Sequence, residues 1–236
     1  MGNILMIIVG LFMVAMGLIG LKRGMIKMAF SLVSVVIILI LVNLLTPLAK
    51  QIIENTPIYT QVQGSIEQYV KDNVESTSDD ITQTGVTAQQ KIINQLPLPT
   101  EIKKNLEVNN NEKGYKLLEA TTFAEYISKY LTDIIISAIT FVILFILVSL
   151  LIRLLINALD IIAKLPIIKT FNSMGGAIIG LAESVVILWI ACVVVTACSS
   201  TEWGQQICKA IGENQFLSLI YDNNVIQHFI TNLIGL

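Results

Sequence analysis

A carboxyl group inside a long apolar stretch is the first residue of this sequence that could do chemistry. Glu183 lies within residues 174–197 and follows Gly176 by seven positions, so the two share one face of a helix. At ~1.5 Å per residue it would lie roughly 13 Å deep, near the middle of a bilayer. A carboxyl group there is costly and normally faces the bundle interior or water. Glu183 therefore indicates either a site that handles ions or protons, or a protonated structural glutamate hydrogen-bonded at a helix contact.

Other polar residues could extend such a site toward either membrane surface. Four of them, from Arg153 to Lys164, fall at i, i+4, i+7 and i+11, the pattern of an amphipathic helix at the cytoplasmic surface. The alternative is that this stripe lines a cytoplasmic vestibule. Asp133 shares a face with two hydroxyl residues near the outer end of another apolar stretch. The candidates for an ion or proton pathway are Glu183, Arg153, Asp160 and Asp133.

Small residues accompany Glu183 and predict close helix contacts. Gly176 and Gly180 form a GxxxG motif, and small residues four apart let the backbones of two spans approach closely. The residues that we expect to pack helices together are Gly176, Gly180, Ser184, Gly17 and Gly20.

The elements that carry these residues are four apolar stretches, at residues 5–21, 28–45, 134–152 and 174–197. Each is about as long as the ~30 Å of hydrocarbon requires of a helix. Hydrophobic residues make up 54% of the chain and charged residues 14%, against roughly 25% charged in ordinary soluble domains. The sequence predicts an all-α integral membrane protein with four transmembrane helices, amphipathic interfacial helices and a long, partly helical outer loop.

Charge predicts the orientation of these spans. The connection within each pair of stretches is basic, with Lys22, Arg23 and Lys27 in the first and three cations in the second. Because Lys and Arg bias short loops to the cytoplasm, both connections should face inward, with both termini and the 47–130 loop outside. The chain then divides into a transmembrane hairpin (1–46), an extracytoplasmic loop with short amphipathic helices (47–121), a second pair of spans with a cytoplasmic amphipathic connection (122–197) and an extracytoplasmic amphipathic tail (198–236).

The segments outside the spans suggest little independent structure. Apolar residues recur at helical spacing over 58–70, and Thr100 could cap another helix, but pieces this short should not bury a core of their own. Thr122 and Glu125 have the form of a capping box, and the uninterrupted run that follows should bend along the cytoplasmic surface. The tail should lie in the interface as an amphipathic helix. Cys198 and Cys208 both fall outside, where a disulfide is an open alternative decided by geometry.

No constellation for catalysis is present in the sequence. It lacks His/Cys metal spacing, a GxSxG nucleophile motif and a phosphate-binding loop. We therefore expect no enzyme activity, no cofactor, no metal and no nucleic-acid partner.

Two short motifs resemble the colicin V production protein family. The first is Gly20-Leu-Lys-Arg-Gly24 followed by Ser31, and the second opens the fourth span as Asn172-Ser-Met-Gly-Gly-Ala-Ile-Ile-Gly180. The resemblance implies a four-span protein of the bacterial cytoplasmic (inner) membrane that is associated with toxin production or export and with envelope stress. It supplies no molecular mechanism. The chain departs from the family at Lys27-Met28, where an acid is common, and in lacking a basic residue near Glu183. The motif residues are Arg23, Gly24, Ser31, Asn172 and Gly175.

Two functional hypotheses follow. In the first, the protein is part of a conduit or transporter, and because four spans are too few to enclose a sizeable pathway, it forms a homo-oligomer. In the second, it is a non-transporting scaffold or adaptor in the lipid bilayer that recruits secretion or envelope proteins through its outer loop and tail. The surroundings of Glu183 separate them: water beside it favours a conduit, and dry packing against Gly or Ser favours a scaffold.

Overall fold

In a computed structural model, the structure describes residues 2–73, 86–96, 98, 100–159 and 169–232, and this part of the chain contains helices and no strands. Four helices in this part of the chain, with candidate spans at Gly2–Arg23, Met25–Glu54, Phe123–Leu154 and Asn172–Ala197, are long and apolar enough to cross a membrane. The predicted all-α membrane fold is therefore confirmed. The helices are α1 Gly2–Arg23, α2 Met25–Glu54, α3 Pro57–Asn73, α4 Val86–Gln95, α5 Thr100–Asn109, α6 Glu112–Leu117, α7 Phe123–Leu159, α8 Lys169–Ala197, α9 Glu202–Gly212, α10 Gln215–Asp222 and α11 Val225–Asn232.

Helices α1 and α8 meet along glycines. A Cβ added to Gly20 would collide with the backbone of Gly176, and one added to Gly180 would lie 2.5 Å from the carbonyl oxygen of Met16. Since such an approach excludes any side chain, the GxxxG face serves a contact within one chain. Gly17 is looser, because its added Cβ would lie 3.5 Å from Leu181.

Helix α7 is longer than the hydrocarbon of a bilayer is thick, so part of the helix must extend beyond it. Its 37 residues span ~55 Å at ~1.5 Å each. The helix runs without a break to Leu159, so the predicted bend does not occur in its described part, and Asp160 with residues 161–168 lies outside the described residues. The capping box does form at the start of α7, where the Glu125 amide donates to Thr122 Oγ1 at 3.2 Å and the Glu125 carboxylate accepts from the Thr121 amide at 2.7 Å.

The N-terminal turns of α7 form one wall of an apolar core, and the helices of the preceding loop pack against them. We call α3–α6 together with residues 123–135 the outer domain, after the side of the membrane that the sequence predicts for it. Tyr126 is fully buried there, and its hydroxyl donates to the Leu106 carbonyl at 2.9 Å. The short helices therefore share a core with α7 and do not form one of their own. The buried members of the core are Ile66, Tyr69, Val70, Ile92, Ile93, Leu96, Leu98, Ile102, Leu106, Phe123, Tyr126, Ile127, Tyr130, Leu131, Ile134 and Ile135.

The tail (α9–α11) also differs from the predicted surface helix, because α10 and α11 re-enter the bundle. Trp189 lies eight residues before the end of α8, about 12 Å along the helix. Its indole N–H donates to the Ile220 carbonyl at 3.1 Å, and Asn224 Nδ2 donates to the Trp189 carbonyl at 2.9 Å. On α11, Ile226 and Ile230 are buried in the apolar core of the spans. The exposed side of α10 and α11 keeps the predicted apolar residues Leu219, Val225 and Phe229.

Candidate functional site: a buried carboxyl between α2 and α8

Glu183 contacts α2 through a short hydrogen bond. Ser31 Oγ donates to Glu183 Oε1 at 2.6 Å, and the glutamate is 7% exposed. Its second oxygen, Oε2, is buried and has no hydrogen-bond partner within the described part of the chain. The carboxyl group thus packs tightly against a serine, and one of its oxygens remains able to bind a proton, a water molecule or a cation.

The contact lies in the half of the bundle that is nearer the basic α1–α2 turn. Ser31 follows Gly24, at the α1–α2 turn, by seven residues, or ~10 Å of helix. Side chains on a helix lean toward its N-terminus, which for α8 is the end near this same turn. Glu183 is the twelfth of the 26 residues of the candidate span Asn172–Ala197, so its backbone lies near the middle of that span and its carboxyl group leans toward the basic connections.

A second buried hydroxyl lies at a similar depth on α7. An ion pair of 3.0 Å between Lys50 and Asp133 sets the antiparallel register of α2 and α7. Sixteen residues inward from Asp133 is Ser149, and seventeen inward from Lys50 is Val33, two positions from Ser31. Ser149 Oγ is buried without a hydrogen-bond partner among the described residues. By this count, Ser149 lies at a depth similar to that of Ser31 and Glu183, and we call these three residues the inner polar layer.

Apolar residues separate the inner polar layer from the outer face. Ile38, Val42, Phe141 and Val193 are buried together with Ile226 of the re-entrant tail. At ~1.5 Å per residue, Ile38 lies ~10 Å farther out along α2 than Ser31. Within the described bundle, buried apolar side chains thus lie between Glu183 and the opposite end of the spans.

The other predicted pathway residues do not join this layer. Asp133 lies at the outer end, where it pairs with Lys50, which also lies 3.8 Å from Glu54. Burial, followed by the negative charges of Asp133 and Glu54, raises the pKa of Tyr59 nearby on α3. Arg153 is exposed near the C-terminal end of α7, and Asp160 lies outside the described residues.

The family-motif residues gather at the α1–α2 turn. Asn172 and Ser173 lie in the first turns of α8, which begins at Lys169, and both side chains reach other helices. Asn172 Oδ1 accepts from the Ile26 amide at 3.1 Å, while Ser173 Oγ donates to the Leu21 carbonyl at 2.8 Å. Gly175 lies against Met25, whose Sδ would be 2.6 Å from an added Cβ. Arg23 is exposed at the end of α1.

A polar network that the sequence did not reveal lies where the tail re-enters. Thr196 on α8 is in hydrogen-bond contact with the Tyr221 hydroxyl and donates to Gln227 Oε1 at 3.1 Å. Gln227 Nε2 is buried without a partner among the described residues. A glutamine in an amphipathic run usually marks the solvated face of a helix, so its type and spacing gave no signal of this role.

The three cysteines, Cys192, Cys198 and Cys208, are free thiols. The disulfide alternative between Cys198 and Cys208 is therefore not realised in this structure. Ser184, expected to help pack helices, is fully buried and donates to the Leu181 carbonyl of its own helix at 2.6 Å.

Comparison with known families identifies one match. Residues 117–222 match the family of the colicin V production protein, a segment that contains α7–α10 with Asn172, Gly175 and Glu183. The match confirms the resemblance over this segment, and the motif residues of α1 and α2 lie outside it. This family is not known as a family of enzymes. Comparisons with curated proteins and with solved structures give no significant match.

Proposed function

We propose that this chain, a member of the colicin V production protein family through its residues 117–222, is a membrane scaffold. The match supports a role in colicin V production, which the scaffold would serve by supporting toxin production or export, or envelope homeostasis. The protein lies in the bacterial cytoplasmic membrane with its basic turns inside. The outer domain and the tail face outward, where secretion or envelope proteins are the expected partners.

The buried contact between Ser31 and Glu183 is the observation that carries this proposal. A carboxyl group on a water-filled path would present both oxygens to solvent, whereas this one is 7% exposed and bonded to a neighbouring span. The apolar layer outside it points the same way. A glutamate so placed acts as a hydrogen-bonded link between α2 and α8.

Contacts of the glycine face add to this support. The α1 backbone of the same chain occupies the space beside Gly176 and Gly180, so this face is not available to a second copy. The exposed surfaces outside the membrane belong to the outer domain and the tail, which is where a scaffold would hold its partners.

A proton or cation conduit is the second candidate, and a specific observation favours it. Glu183 Oε2 and Ser149 Oγ are both buried without partners in the described residues, and both belong to the inner polar layer. Each of these atoms could bind a water molecule or a cation inside the bundle. A conduit of this kind would need a homo-oligomer, because the apolar layer closes the single bundle on its outer side.

Stability of serine variants tests the scaffold proposal. Ser31→Ala removes the donor to Glu183 and should lower the free energy of unfolding by about 1–3 kcal/mol, since it leaves a buried acceptor unpaired. Ser34→Ala is the matched control, because Ser34 lies on the same helix, is half-buried and donates only to the Phe30 carbonyl one turn earlier. Glu183→Gln keeps an acceptor for Ser31 and should be as stable as the parent or more so. If all three variants were equally stable, the contact between Ser31 and Glu183 would have no structural role and the scaffold proposal would lose its support.

A further inference from the structure

A cavity outside the membrane separates the outer domain from the tail. It has a volume of about 570 Å³, within the ~300–1,000 Å³ typical of small-molecule sites. One wall comes from the end of α4 and from α5, and the other from α9 and α10. The cavity lies at the opposite end of the bundle from the inner polar layer, so the contact between Ser31 and Glu183 does not account for it.

The cavity carries one positive charge in excess. Its charged lining residues are Lys103, Lys209 and Asp222, two cations and one acid. Asp222 already accepts a hydrogen bond from Ser218 at 2.8 Å. Lys103 Nζ donates to the Asn94 carbonyl at 2.9 Å, which leaves two of its three N–H donors for a ligand. Burial lowers the pKa of Lys103, as expected of an ammonium group withdrawn from water.

Apolar side chains line the cavity beside these charges. Leu96 and Leu98 line it from the outer domain, and Ile211 lines it from the tail; all three are buried. A single anionic group combined with a short apolar group would therefore satisfy both parts of the lining. The α-carboxylate and last side chain of a peptide have this composition.

We infer that the cavity binds the C-terminus of an apolar peptide segment outside the membrane, with Lys103 and Lys209 as the carboxylate partners. The inference rests on the proposed scaffold role and names the chemical class of its partner. Peptide binding is measured on the purified full-length protein, whereas the scaffold role is tested through Ser31 and Glu183. The pocket inference can therefore fail without affecting the scaffold proposal.

The test is binding of N-acetyl-Ala-Ala-Leu to the full-length protein in nanodiscs, measured by calorimetry beside the same peptide with a C-terminal amide. The free acid should bind and the amide should bind at least tenfold more weakly. Lys103→Met should weaken binding of the acid at least tenfold, while Lys104→Met, at an exposed neighbour outside the lining, should leave it unchanged.

Gly212 offers a variant that fills the cavity. It lines the cavity, and a Cβ added to it would meet no atom within 4 Å, so Gly212→Leu should block binding without unfolding the protein. Gly64→Leu is the control, since Gly64 on α3 is equally open and lies outside the lining. Equal binding of acid and amide, tighter binding of octanoate than of the peptide, absence of binding at millimolar peptide, or full binding by Gly212→Leu would each overturn the inference.

Discussion

Asn172 Oδ1 accepts a hydrogen bond from the backbone amide of Ile26 at 3.1 Å, so the fourth span caps the N-terminus of the second. Gly24 precedes α2 with φ of 81°, a conformation that glycine adopts without strain, and it supplies no side chain for a cap of its own. Ser173, the next residue of α8, donates to the Leu21 carbonyl at the end of α1. The start of α8 therefore satisfies polar backbone groups on both sides of the α1–α2 turn.

Removing this cap should destabilise the bundle locally. Asn172→Ala leaves the Ile26 amide unpaired and should lower the free energy of unfolding by about 1 kcal/mol, a typical cost for a lost helix cap. Asn172→Asp keeps an oxygen acceptor near a helix N-terminus and should retain most of the stability. Hydrogen exchange at the Ile26 amide and thermal unfolding in detergent measure both effects. Protection of that amide in Asn172→Ala equal to the parent's would show that the cap is dispensable.

The glycine face should tolerate no side chain. Gly176→Leu and Gly180→Leu place a side chain where the α1 backbone lies, so both should unfold at lower temperature than the parent. Gly10→Leu is the control within the same pair of helices, because an added Cβ there meets no atom within 4 Å. If Gly180→Leu unfolded at the same temperature as Gly10→Leu and the parent, α1 and α8 would not be in contact along this face.

The spans were predictable because their length and composition report directly on the bilayer, and so was the cap formed by Thr122 and Glu125, which is local. The core of the outer domain was not predictable. One of its walls is the part of α7 that extends beyond the hydrocarbon, and only the fold shows at which end of α7 that part lies. The tail was misplaced for a different reason. Apolar Ile226 and Phe229 fit a surface helix and a re-entrant helix equally well, and the contact of Asn224 with Trp189 is invisible in periodicity. Likewise, Asn172 and Ile26 lie 146 positions apart.

The thiols of Cys198 and Cys208 should differ in reactivity, and Cys208 should make the stability of the folded protein depend on pH. Burial, followed by the proximity of Cys198, raises the pKa of Cys208 from 9.0 to about 11, so the thiol stays protonated at neutral pH. Because the thiolate is the reactive form, an alkylating reagent at pH 8 should modify the half-buried Cys198 well before Cys208. The contribution of Cys208 to the free energy of unfolding is fully present below the pKa of this thiol in the unfolded chain, near 9. It is lost as pH rises toward 11, the pKa in the folded protein. Cys208→Ala should therefore show a smaller loss of stability between pH 9 and 11. A 2-Da lower mass before reduction would instead reveal a disulfide.

The orientation can be read by labelling single cysteines in a variant that lacks the three native ones. With an impermeant maleimide added to intact cells, Lys104→Cys in the outer domain should react, and Lys22→Cys at the basic α1–α2 turn should be protected. Permeabilising the cells should expose the second site and serves as the control. Labelling of Lys22→Cys in sealed cells would reverse the proposed topology.

Ion flux through the purified protein tests the central claim, that Glu183 links two spans and does not conduct. The protein is reconstituted into liposomes with an imposed pH gradient, and proton flux is followed beside protein-free liposomes and beside Glu183→Gln. We expect the parent, the Gln variant and the empty liposomes to show the same flux, because Glu183 is packed against Ser31 and sealed by an apolar layer. Proton flux in the parent that Glu183→Gln abolishes at unchanged thermal stability would contradict the scaffold and establish the conduit.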